Sequence, residues 1–137
     1  MIRALPILLA LAAPATAQVV TECEGFAANA RNVDWSDPTR TFADGAIRLT
    51  ALDTAEPAAA AFHIMVTYAV TDEPFADCRL VSAGEGQGFG AISLSRAIAA
   101  YDAARGLTVT VPGLTGEGDA LVIGFTVNRA TGEVTVP

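Results

Sequence analysis

This chain holds one histidine, and its neighbours set what chemistry it can join. In Ala61-Phe62-His63-Ile64-Met65-Val66-Thr67-Tyr68-Ala69-Val70, apolar side chains recur at every second position, the period of a β-strand. Phe62, Ile64, Val66, Tyr68 and Val70 fall on one face, and His63, Met65 and Thr67 on the other. An imidazole and a thioether two residues apart then point the same way, a soft donor pair suited to weak copper(I) binding. Two donors do not complete a tight site, and the same pair fits as ordinary cover on the less apolar side of a sheet. Nucleophilic catalysis lacks parts: there is no Gly-x-Ser-x-Gly, and Ser93 and Ser95 fit as strand-end and capping residues. No catalytic residue is assigned, and no cofactor is called for.

Gly84-Glu85-Gly86-Gln87-Gly88-Phe89-Gly90 is the densest glycine run. From Gly86 it spells Gly-x-Gly-x-x-Ala, a partial dinucleotide fingerprint. That fingerprint works in a βαβ unit of a parallel sheet, whereas the strands here are hairpin-linked, and Glu85 would stand beside the pyrophosphate. The functional expectation is a recognition loop over Gly84, Glu85, Gly86, Gln87, Gly88 and Phe89, with a plain inter-strand connection as the alternative. Asp34/Asp37 and Glu117/Asp119 pair up in loops without EF-hand spacing, which suits solvated turns better than calcium. Two carboxylates suffice for glycoside hydrolysis, so an acidic-residue hydrolase stands as an alternative function. Trp35, the single tryptophan, is expected to cap the core beside Phe26 or Phe42.

The elements that must position these residues are mostly strands. Ile47, Leu49 and Ala51 alternate with Arg48, Thr50 and Leu52, and residues 78–83 and 91–94 form shorter strands around the glycine run. Leu121, Ile123, Phe125 and Val127 alternate into Asn128-Arg129-Ala130-Thr131-Gly132, and Glu133 to Val136 follows. Asp102-Ala103-Ala104-Arg105-Gly106 leads likewise into Leu107 to Val111. In both, an Asp or Asn opens the turn and glycine supplies a positive φ, which predicts a type I turn with a G1 bulge. One or two short helices are allowed: Cys23 to Asn32, and Arg96 to Ala104 behind a Ser95 cap, where alanine tips a choice between helix and strand. The fold class is an antiparallel β-sandwich-like single domain over 18–137.

Residues 1–17 read as a cleaved signal peptide: Arg3, an apolar run from Ala4 to Ala13, Pro14, then Ala15-Thr16-Ala17 before Gln18. The run is too short to span a bilayer. Export to the periplasm or beyond makes a Cys23–Cys78 disulfide the expectation for the two cysteines. The whole chain carries a formal charge of −7, with fifteen acidic residues, eight arginines and no lysine. That balance argues against nucleic acid and against polybasic attachment to a membrane, and no membrane anchor is expected.

The His63-Ile64-Met65 triplet resembles the His-x-Met end of the periplasmic copper chaperones, which are also small β-sandwiches. The likeness covers three residues. Those chaperones use a further methionine and histidine upstream, and residues 18–137 contain neither. Taken together, the sequence predicts an exported, non-enzymatic binding or interaction module for an unknown protein or small-molecule ligand.

Overall fold

The computed structural model describes residues 18–56 and 60–137, so the leader at 1–17 lies outside the described residues. Ten strands follow in chain order: β1 Val19–Glu22, β2 Thr39–Phe42, β3 Ile47–Asp53, β4 Phe62–Ala69, β5 Ala76–Ser82, β6 Ala91–Ile92, β7 Ile98–Asp102, β8 Gly106–Leu114, β9 Ala120–Asn128 and β10 Glu133–Thr135. The first sheet runs β1-β5-β4-β3-β2. The second runs β10-β9-β8, and β6 and β7 share the far side of β8. Every pairing is antiparallel. This is a small β-sandwich-like domain.

Alternation explains which faces meet. Leu49 pairs with Val66, and Ile64 with Val81, so their side chains stand on one face of the first sheet. Val109 and Val111 pair with Phe125 and Ile123 in the second. These residues are buried together in one core, with Tyr68 and Phe89 among its largest members. Tyr68 brings its hydroxyl along and donates to the Gly132 carbonyl across the sandwich at 2.8 Å.

The other side of the first sheet is covered too. β1 lies at one edge, beside β5, whereas Val33 bridges to Leu52 at the opposite edge of the β5-β4-β3 trio. The chain between them therefore crosses the sheet. It does so on the outer side, because Cys78 shares the outward parity of Leu80 and binds Cys23 there in a disulfide with Cα atoms 5.8 Å apart. Outward-facing Leu52, His63 and Leu80 are all buried.

Both helical expectations change. Within Cys23–Asn32 only Ala30–Asn32 forms a 3₁₀ turn, capped by the Asn29 side chain. Gly25, at φ +82°, and the disulfide hold the rest in an irregular crossing. The stretch after Ser95 is a strand: Leu94–Arg96 makes one 3₁₀ turn, and Ile98–Asp102 pairs with β8 in full register. The ladder with β8 outweighs the poor strand propensity of Ala99 and Ala100, as tertiary context commonly does. The two matched turns form as their side chains predict. Asp102 Oδ1 accepts from the amides of Ala104 and Arg105, Asn128 Oδ1 from those of Ala130 and Thr131, and Gly106 and Gly132 have positive φ. The second closes one residue wider than a G1 bulge, through a Gly132 amide to Asn128 carbonyl bond of 2.8 Å.

Candidate functional site

The residues with chemical promise are scattered over the two sheets. His63 and Met65 do share the outer side of β4, one register step apart, His63 opposite Leu52 and Met65 opposite Thr50. His63 is only 6% exposed, and its Nδ1 lies 2.7 Å from the Ser82 hydroxyl oxygen. Burial pushes its pKa below the ordinary imidazole value, with Glu56 pulling weakly the other way. Ser82 is buried as well, so both partners of this serine–histidine contact are withdrawn from solvent.

The glycine run is more ordered than its composition suggests. Gly84 and Gln87 exchange two backbone bonds of 3.1 Å, which folds Glu85 and Gly86 into a tight turn with Gly86 at φ +68°. Beyond it, Phe89 exchanges backbone bonds of 3.0 and 2.7 Å with Phe62 and buries its ring in the core. A Cβ on Gly88 would stand 2.5 Å from the Ala60 carbonyl oxygen, so glycine there serves close packing. The exposed part of the loop is therefore Glu85, Gly86 and Gln87. Of these, Gln87 lines a concavity of about 340 Å³ with Gln18, Glu117 and Leu121.

Of the two acidic pairs, Asp34/Asp37 is tied to the backbone by its carboxylates. Asp34 Oδ1 accepts from the Ser36 amide and hydroxyl, and Asp37 Oδ2 accepts from the Ser95 amide. No group of three His, Cys, Asp or Glu side chains gathers in metal-binding geometry among the described residues. Trp35 overturns its expectation: held out by the Asp34–Ser36 turn, it is 79% exposed. Phe26 is also half out, beneath the Arg31 guanidinium. One ionic cluster gave no signal in the sequence. Arg79 lies 2.7 Å from Asp77 and 3.4 Å from Glu22, on the core-facing side of β5 at the flank of the sandwich. The Cys78 amide, then Arg79, holds the Asp77 carboxyl below its usual range.

A different feature stands out at the opposite flank. Each sheet ends in two edges, and edge strands present unpaired amides and carbonyls that folded proteins ordinarily guard. β2 follows Pro38 and carries Arg40; β10 has three residues and is soon followed by Pro137; β1 has four, ends in Glu22 and runs into the disulfide. β7 has five residues, all exposed, with neither proline nor lysine, and pairs residue for residue with β8 without a bulge. Its one charge, Asp102, sits at the end and is engaged by the turn. Ile98 is 68% and Tyr101 76% exposed.

The phase of the ladder tells which groups are free. Ser93 and Gly90 donate to the carbonyls of Pro112 and Leu114, so even-numbered residues of β8 bond toward this flank. Thr108 and Thr110, opposite Ala100 and Ile98, continue that phase. By alternation, Ala99 and Tyr101 turn their amides and carbonyls away from β8. Beside them no described segment crosses the outer face of the second sheet, where half-buried Thr108, Thr110, Thr126 and Pro112 and exposed Val122 make an uncharged centre.

Comparison with family models, with curated proteins and with solved structures finds no match to this chain. Fold and surface must carry the functional argument alone.

Proposed function

We propose that this chain is an exported, non-enzymatic interaction module that engages its partner by strand addition along β7. The observation that carries this reading is the unguarded edge: five exposed residues with a single charge, and the backbone groups of Ala99 and Tyr101 directed outward. In strand addition the main chain supplies affinity and side chains at alternate positions supply selectivity. The bare outer face next to β7 extends the contact past the strand itself. A non-enzymatic role is supported by the buried His63–Ser82 contact and by the engagement of the Asp34 and Asp37 carboxylates with Ser36 and Ser95. Export to an oxidising compartment, periplasmic or extracellular, is supported by the Cys23–Cys78 disulfide. Among the described residues no helix is long and apolar enough to cross a membrane.

The test is selection of random peptides against the disulfide-bonded chain, followed by backbone amide exchange with the recovered peptide bound. Protection concentrated at Ala99 and Tyr101, and its loss in Ala99→Pro, is the expected outcome. Peptides that instead protect Glu85–Gln87, or protect β7 equally in the proline variant, would sink the reading.

A further inference from the structure

We propose that the strand added to β7 is β7 of a second copy of this chain, paired antiparallel about Ala99. This rests on the strand-addition reading above and names its partner.

Register favours this pairing. In an antiparallel pair, residues directly opposite share a face, and pairs that exchange both backbone bonds alternate with pairs that exchange none. Ala99 directs its amide and carbonyl outward, so Ala99 opposite Ala99 of the second copy forms a doubly bonded pair on the two-fold axis. That register sets Ile98 opposite Ala100 of the other copy, twice, and so builds a small apolar group on the outer face. Tyr101 falls just beyond the Ile98 start of the other strand, where the Ala97 amide is bonded to Leu94, so the ladder between copies spans Ile98–Ala100. Past Ile98 the chain leaves the ladder for the Leu94–Arg96 turn, which leaves Arg96 at the same end of the pair as Asp102 of the other copy. Asp102 Oδ1 is held by the Ala104 and Arg105 amides, while Oδ2 has no partner among the described residues and can take the guanidinium. Arg96 makes no ion pair among the described residues. Moving the axis to Ala100 loses the apolar match, since Ile98 would then face Asp102.

Charge points to the same partner. Copies of so acidic a chain repel one another over most of their surface. From Ser95 to Gly106 the chain carries Arg96 and Arg105 against Asp102 alone, so along β7 a second acidic copy meets no net negative charge. Ala99 and Ala100 also let the two backbones approach without displacing bulky side chains. The product is one continuous sheet in which β10-β9-β8-β7 is repeated about the axis, a closed two-fold arrangement.

Sedimentation velocity over a concentration series tests this on the disulfide-bonded chain, with Ala99→Pro, Arg96→Asp and Ala99→Cys as variants. The wild type is expected to dimerise. Ala99→Pro blocks the axial pair and spares the ladder, because its amide does not bond β8. Arg96→Asp, at an exposed position, sets acid against acid and serves where the proline variant folds poorly; it is expected to weaken dimerisation by about tenfold or more. Ala99→Cys is expected to cross-link to itself under oxidation, and Ala100→Cys to do so far more slowly, since only residue 99 lies on the axis. A wild type that stays monomeric at every concentration overturns the proposal, as does a dimer indifferent to both substitutions or one cross-linked faster through residue 100. A monomer whose Ala99 and Tyr101 amides are still protected by selected peptides removes self-pairing and leaves the strand-addition reading in place. Failure of both experiments removes both.

Discussion

The two sheets share one core yet treat their other sides in opposite ways. The first is roofed: Cys23–Val33 crosses it, the Cys23–Cys78 bond pins the crossing, and Leu52, Leu80 and His63 are buried on the outward side. The second is bare. Val122, in the equivalent outward position on β9, is 66% exposed, and threonines rather than a covering segment occupy the centre of that face. The contrast teaches where to look for contact with other molecules. An outward position under the roof contributes to stability, whereas one on the second sheet is nearly free of that duty and available for recognition.

Removing the roof's anchor should have the largest effect. Replacing both Cys23 and Cys78 by serine opens a loop of 55 residues and is expected to cost about 4 kcal/mol in the chain-entropy view. Denaturant unfolding measures the loss, and amide exchange should quicken first across 24–33; an unchanged midpoint would mean that the crossing holds without its bond. Next comes a matched pair of truncations. Leu80→Ala, beneath the crossing, is expected to cost about 3 kcal/mol, and Val122→Ala, on the bare face, under about 1 kcal/mol. Equal losses at the two positions would erase the distinction between the faces. The smallest effect concerns pH. Burial keeps the His63 imidazole neutral below its ordinary value of 6.5, so the unfolded chain takes up the proton first as pH falls. Stability is therefore full above 6.5, declines as pH drops below it, and levels off once the folded imidazole is itself protonated. His63→Gln is expected to flatten that decline, as read from melting temperature against pH, while leaving the second sheet's exchange pattern alone.

Much of the sandwich was legible because burial on one face imposes a period. β4 and β9 alternate cleanly and their inward residues are those that pack in the core. The two turns were legible through Asp102 and Asn128, whose carboxylate and amide oxygens bond the backbone within a few residues, so no distant information is needed. β7 was illegible for the same physical reason in reverse. With all five residues exposed no face is buried, hence no period, and alanine composition favours a helix. What makes it a strand is β8, a partner joined through the turn. Its being an edge is less visible still, since local composition does not reveal how many neighbours a strand has. Trp35 misled through a sound average: tryptophan is usually covered, but an Asp34–Ser36 turn fixes this one outside. In the glycine run, composition marked the loop correctly but not that Gly88 and Phe89 belong to the interior.

The paired backbone bonds between Phe62 and Phe89 have one more effect. Phe62 opens β4 of one layer, and Phe89 stands just ahead of β6 in the other, so a single short crossover laces both leaves of the sandwich at one end. Sliding one leaf past the other must rupture those bonds and drag the Phe89 ring out of the interior at the same moment. Thermal melting of the domain should for that reason be a single all-or-none event, with calorimetric and van't Hoff enthalpies in agreement.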